Sequence, residues 1–182
     1  MAGELVAVFC AGRGTPAGDP VLDEAERLGR LLAEAGFDLL NGGYGSSMEA
    51  LSRGARQAGA ARVIGVTLDL FTPPMKPNRW LTEEQRVTDF FPRLEALSRA
   101  DAYVVLRGGI GTLTEATLMW TLLETRQVTP RPFLFVGRSW ARLLEAFRDH
   151  TLMTEGHFAL ATLVDTVDQA VARLKKAFAP SH

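Results

Sequence analysis

The chemistry of this chain is concentrated in Gly108-Gly109-Ile110-Gly111-Thr112-Leu113-Thr114-Glu115. A glycine-rich turn lets backbone N–H groups approach a ligand, and a helix starting there points its positive end at the same spot. That pairing suits an anion, and a phosphate best. Glu115 falls one turn into the expected helix, placed for chemistry on the sugar of a bound phosphate ester. The same residues admit a plainer reading. Thr112-Leu113-Thr114-Glu115 has the spacing of a capping box, in which Thr112 caps the helix and Glu115 bonds back to it. Gly108, Gly109 and Gly111 together exceed what a cap requires, so an anion site stands beside the cap.

Two further glycine turns follow apolar runs. Asn41-Gly42-Gly43-Tyr44-Gly45-Ser46-Ser47-Met48-Glu49 offers Gly43 and Gly45 to an anion, or only a Ser46/Glu49 capping box. Ala11-Gly12-Arg13-Gly14 adds Arg13, a charged donor suited to phosphate. Arg93 stands near the start of a helix, where a solvated arginine is the default. Cys10 reads as a buried strand residue and, with no matching base, not as a nucleophile. Neither the dinucleotide fingerprint GxGxxG nor a Walker lysine is present, which argues against a standard NAD site or P-loop. The three histidines, His150, His157 and His182, lack metal-ligand spacing. No metal and no cofactor is expected.

These residues need strands that end where the glycines begin. Apolar runs at Leu5–Cys10, Phe37–Leu40, Val63–Val66, Ala102–Leu106 and Phe133–Val136 read as strands, with a short one near Ala161–Val164. Helical patterns separate them. Asp19 caps the first with Pro20 behind it. Others run over about Ser47–Ala58, Phe90–Arg99, Thr112–Val128, up to Asp149 from a Ser139 cap, and Val167–Phe178. Thr82–Gln85 resembles a small capping box. Leu70–Trp80, with Pro73, Pro74 and Pro77, reads as an irregular loop. Alternating βα units with non-alternating apolar strands predict an α/β fold, a single Rossmann-like three-layer domain over 1–182. Its sheet is mostly parallel, with helices on both faces. Ligands in such sheets sit beyond the carboxyl ends of the strands, where all three glycine turns fall.

Composition narrows the function further. Net charge is -1, so no basic field argues for nucleic acid or an anionic membrane. One cysteine excludes an internal disulfide. No apolar run nears the ~18 residues of a membrane span. Acidic Glu4 stands where the basic region of a signal peptide would be, so the expected location is cytoplasmic. Leu118, Met119, Trp120, Leu122 and Leu123 make one helix apolar on more than one face, from which a homodimer or higher homo-oligomer is expected.

Gly108 to Glu115 resembles the PGGxGTxxE motif of the Lonely Guy (LOG) type phosphoribohydrolases, long labelled possible lysine decarboxylases. The resemblance extends from Val8-Phe9-Cys10 through Gly42-Gly43 and Met48 to Tyr103-Val104-Val105-Leu106. It implies a Rossmann-like fold, commonly homodimeric. It also implies hydrolysis of the N-glycosidic bond of a purine nucleoside 5′-monophosphate, AMP or a cytokinin riboside monophosphate, to free base and ribose 5-phosphate. Glu115 matches the catalytic glutamate, which would stay ionised. Gly109, Gly111 and Thr112 match phosphate-binding positions. Arg93 falls where the family carries an Arg-Lys pair, here flanked by Pro92 and Leu94, and would fix the glutamate or polarise the leaving group. Arg107 replaces the motif's proline, and Ala11-Gly12-Arg13 replaces Gly-Ser-Ser. These departures are similar to a sister branch of molybdenum-cofactor carrier-like proteins. The alternative is therefore a non-catalytic binder or carrier of a nucleotide or molybdopterin-type phosphorylated cofactor. Decarboxylation by pyridoxal phosphate needs a Schiff-base lysine. Lys76 lies in the proline-rich loop and Lys175 and Lys176 on the last helix, so that activity is rejected.

Overall fold

The chain adopts an α/β Rossmann-like fold, described in a computed structural model for residues 3–71 and 75–179. Pro73, Pro74 and His182 lie outside the described residues. Seven strands form one sheet in the order β4-β3-β2-β1-β5-β6-β7. They are β1 (Leu5–Phe9), β2 (Asp38–Asn41), β3 (Val63–Leu68), β4 (Glu83–Val87), β5 (Ala102–Val105), β6 (Phe133–Val136) and β7 (Thr162–Val164). Every pairing is parallel. The chain builds outward from β1 to β4, then returns to place β5 on the other side of β1. That reversal opens a crevice above the β1–β5 boundary, where open α/β sheets bind ligands.

Strand side chains alternate between two cores. Val6, Val8, Val104 and Leu106 face helices α1 (Pro20–Glu34), α2 (Ser47–Gln57) and α7 (Val167–Ala177). Ala7, Phe9, Tyr103 and Val105 face α3 (Phe90–Ser98), α4 (Ile110–Glu124), α5 (Arg138–His150) and the short α6 (Glu155–Phe158). Both layers are apolar because both faces of the sheet are covered. A single sheet joins all these elements, and on that basis we propose one nucleotide-binding domain. Asp19 caps α1 as expected, accepting from the Val21 amide at 3.0 Å.

Several local expectations are overturned. Thr82–Gln85 does not open a helix. It leads into β4, and the Thr82 hydroxyl accepts from the Val63 amide at 2.8 Å. The Glu-Glu-Gln-Arg-Val strand is polar because it is the sheet edge, where charge discourages pairing with another chain. Ser139 lies inside α5, whose cap is Gly137 at φ 91°. Both glycine-turn capping boxes fail. Helix α4 starts at Ile110 with Gly109 as its cap, and neither Gly109 nor Ser46 makes a side-chain capping bond. Helix α6, closed by a Thr154–His157 capping box, carries too few residues to announce itself in the sequence.

Candidate functional site

The glycine turn after β5 leads straight into α4. The first amides of a helix have no partner within it, and here no side chain caps them. An added Cβ at Gly109 or Gly111 would meet nothing within 4 Å. These two glycines therefore leave space in front of the helix start. Gly108 has a different task, since its Cβ would stand 2.1 Å from Thr112 Oγ1. It lets the buried Thr112 side chain fold back against the turn.

A cavity of about 360 Å³ opens in front of this helix start. Gly109, Gly111, Thr112, Glu115, Arg93 and Arg13 all line it. The remaining wall is largely apolar, with Tyr44, Met48, Phe71, Met75 and Phe90. Gly43 and Gly45 do not line it. Gly43 adopts φ +81° with a Cβ position 2.8 Å from Thr67 Cγ2, so it shapes the loop that delivers Tyr44. Gly45 has only ordinary neighbours, at 3.8 and 4.0 Å. No lysine is among the described residues of the wall.

Arg93 and Glu115 form the polar floor. Arg93 is not solvated but 3% exposed, and Glu115 is 4% exposed. Arg93 Nη2 donates to Glu115 Oε1 at 3.3 Å. Its Nη1 donates to the Gly42 carbonyl at 3.2 Å and to the Val66 carbonyl. One guanidinium thus ties α3 to α4, to the loop after β2 and to β3. Gly42 permits this, because a Cβ there would lie 2.4 Å from Arg93 Nη2. With its donors directed at protein oxygens, Arg93 is placed to fix the glutamate.

Burial pushes the Glu115 carboxyl up to about 7, against the pull of Arg93, which stabilises the charged form. Glu115 therefore titrates near neutrality instead of staying fully ionised. Cys10 also faces the cavity. Burial, and secondarily the Glu115 charge, push its thiol far above the usual range. It is an inert buried thiol, lying just beyond the end of β1 and not within the strand as expected.

A buried polar network missing from the sequence reading holds the wall. Asn41 Oδ1 accepts from the Gly43 amide at 2.6 Å, and its Nδ2 donates to Ser52 Oγ at 3.0 Å. Asn78 Nδ2 donates to the Tyr44 carbonyl at 3.0 Å, and the Asn78 amide donates to the Gly43 carbonyl at 2.9 Å. The segment beside Met75 is thereby clamped to the Tyr44 loop. An asparagine ending an apolar strand was the available signal.

Comparison with known proteins agrees with this architecture. A family model described as possible lysine decarboxylase matches residues 48–174. The cytokinin riboside 5′-monophosphate phosphoribohydrolase of Mycobacterium tuberculosis is 37% identical over 123 residues, covering 64% of this chain and 62% of that protein. The rice (Oryza sativa subsp. japonica) enzyme of the same name, LOG, is 35% identical over 51% of this chain and 39% of its own length. The chain thus spans less than two thirds of these relatives. The molybdenum cofactor carrier protein of Chlamydomonas reinhardtii shares the fold, with a TM-score of 0.74 at 22% identity over 98% of this chain and 99% of that one. The molybdenum cofactor binding protein of Rippkaea orientalis does so with 0.73 at 21% identity, over 97% and 98%. The match over residues 48–174 places this chain in the possible lysine decarboxylase family, which includes the LOG-type phosphoribohydrolases.

Proposed function

We propose that this protein hydrolyses the N-glycosidic bond of a purine nucleoside 5′-monophosphate, releasing free base and ribose 5-phosphate. The observation that carries the reading is the buried Glu115–Arg93 pair beneath a cavity whose rim is an uncapped helix start. The 5′-phosphate sits against Gly109, Gly111 and Thr112, with Arg13 as a further cation. Phosphate binding there becomes orientation of the attached sugar. The ribose lies toward Glu115, and the base packs on Tyr44, Met48 and Phe71. Phosphoribohydrolase relatives at 35–37% identity support the same chemistry.

Cleavage of the bond between C1′ and the base nitrogen leaves its electron pair on the base and a cationic sugar. Ionised Glu115 stabilises that cation, as carboxylates do in glycoside cleavage. It also receives the proton of the water that adds to C1′, and that proton passes to the departing base, so the base leaves neutral and Glu115 returns to its charged form. Arg93 is a positioning residue that holds the carboxylate and favours its charged form. Gly43 and Gly108 contribute by shaping loops, whereas Gly45 is under no such constraint. The lysine-decarboxylase label finds no Schiff-base lysine on the described cavity wall.

The second reading is a binder or carrier of a nucleotide or molybdopterin-type phosphorylated cofactor. It is favoured by Arg93 spending its donors on protein oxygens, and by the carrier proteins that share the fold. One experiment separates the two. The protein is incubated with AMP and related 5′-monophosphates, and free base is sought by chromatography. Base release supports the hydrolase. Ligand retention without release supports the carrier, and the absence of both release and retention would refute both readings. We further propose a cytoplasmic homo-oligomer.

A further inference from the structure

A second cavity of about 240 Å³ adjoins the first. Both are lined by Ala11, Arg13 and Gly109, so the groove passes the start of α4 and continues toward Arg107 and Asp19. Its two cations come from opposite sides of the β1–β5 boundary, Arg13 from the turn after β1 and Arg107 from the turn after β5. Arg107 Nη2 is paired with Asp19 Oδ1. The same Asp19 oxygen caps α1 by accepting from Val21, so the carboxylate is fixed by backbone and holds Arg107 at the groove. The Val21 amide and then Arg107 keep the Asp19 carboxyl below its ordinary range. Glu24 is close enough to feel the Arg107 charge but does not line the groove. A guanidinium carries five donors, and the Asp19 pairing occupies one nitrogen. Arg13 makes no ion pair among the described residues. The groove therefore offers two guanidinium groups against one carboxylate, beside an anion turn that a single phosphoryl group would fill.

We propose that Arg107 forms a second phosphoryl subsite, with Arg13 reaching both phosphates from the wall the two cavities share, and that the protein takes nucleotides carrying a 5′-pyrophosphate, such as nucleoside 5′-diphosphates, more tightly than monophosphates. This rests on the nucleotide reading of the first cavity. The first phosphoryl group occupies the Gly109–Thr112 turn. The next extends over Gly109 to Arg107, whose planar fork matches phosphate oxygens. Arg107 then sets specificity by phosphate number and takes no part in binding the first phosphate.

The test is calorimetric titration with AMP and ADP, without divalent cations and at fixed ionic strength. The Glu115→Gln protein is used to prevent turnover, with thermal melts to verify folding of each variant. ADP is expected to bind about tenfold tighter or better, a difference of about 1.4 kcal/mol. Arg107→Ala in that background should bring ADP to the affinity of AMP and leave AMP within twofold. Asp19→Asn keeps a good helix cap and releases Arg107, so ADP should bind as tightly or more tightly. If the Arg107–Asp19 pair were only structural, Asp19→Asn would be as harmful as Arg107→Ala, and that result overturns the subsite. AMP binding with no preference for ADP, or equal loss of both nucleotides in Arg107→Ala, also overturns it and leaves the nucleotide reading intact. Failure of both nucleotides to bind overturns the nucleotide reading, and the subsite with it.

Discussion

The position of the Glu115 titration gives the sharpest test, because turnover and stability must respond to it in opposite directions. Burial raises this carboxyl to about 7 in the folded protein from an ordinary value of 4.5. If the ionised form performs the chemistry, kcat should rise with unit slope below about pH 7 and level off above it. The ionised fraction grows from about 1% at pH 5 to about 90% at pH 8, so kcat should rise on the order of a hundredfold. Saturating substrate matters, because a phosphate monoester itself titrates near ~6 and would distort kcat/KM. Stability follows the reverse course. The folded state binds the Glu115 proton more tightly than the unfolded chain, so this contribution is fully present below about pH 4.5. It is lost as pH rises through about 7. Its upper size, at about 1.4 kcal/mol per pH unit, is about 3 kcal/mol. Glu115→Gln should abolish turnover and flatten this part of the stability profile, becoming more stable than the parent at pH 8. Initial rates of base release from pH 5 to 9, with calorimetric melts of both proteins, measure both arms. A flat kcat between pH 6 and 8, or retained turnover in Glu115→Gln, would refute the assignment. A parent whose melting temperature varies with pH just as that of the variant does would refute the titration itself.

Other expectations follow from the same geometry. Arg93→Ala leaves a buried carboxyl without its cation and should destabilise the fold by about 3–5 kcal/mol, while moving the Glu115 titration above 7, read by side-chain carbon NMR. A Glu115 signal titrating at its old position would contradict the pairing. Gly42→Ala drives a methyl to within 2.4 Å of Arg93 Nη2 and 2.6 Å of Met48 Cε, so activity and melting temperature should both fall. Gly109→Ala meets no atom within 4 Å, so its melting temperature should hold while inorganic phosphate binds at least several-fold more weakly; unchanged phosphate affinity would remove the turn from the site. The proposed homodimer should scatter light as about twice 19.8 kDa at micromolar concentration, and a monomer mass would refute it.

The parts of the fold legible in sequence were those whose residues must be apolar wherever the chain goes. β1, β3, β5 and β6 are buried on both faces, and their runs read directly as strands. β4 escaped because an edge strand needs hydrogen bonds to one neighbour and no apolar face. The α4 boundary was misplaced by two residues because Gly109 serves as a cap without a side chain to mark it. Helix α4 does not carry the second free apolar face from which the homodimer is expected. Thr112, Ala116, Met119, Trp120 and Leu123 share the buried face, and Leu118 and Leu122 pack partly against the same core. Among the described residues the exposed large apolar groups are instead Leu70, Phe91, Ile110, Leu152 and Leu163, of which Phe91 and Ile110 stand at the starts of α3 and α4. Arg93 was legible as a residue but not as a buried one, since nothing in Phe-Phe-Pro-Arg-Leu tells where a helix will turn its fourth side chain.

The two halves of the site obey opposite electrical requirements, and the fold reconciles them. In the proposed reading a phosphate dianion is held at the cavity rim, where helix amides and Arg13 can meet it without burying a full charge. Glu115 is placed beneath, where low polarity would by itself keep it protonated and useless as an anion. Arg93 adjusts that balance: it supplies enough positive potential to bring the carboxyl back to neutrality, and not so much that it ionises far below the working pH. The adjustment depends on Arg93 staying fixed, which explains its anchorage to the Gly42 carbonyl in the loop after β2 and the Val66 carbonyl of β3. A base poised near 7 at the floor of an apolar cavity combines a usable ionised fraction with poor solvation of the charge. Such a charge interacts strongly with a cation that exists only while the glycosidic bond is breaking. The same arrangement in a carrier would serve only to bind, and binding alone does not require a carboxylate tuned to neutrality.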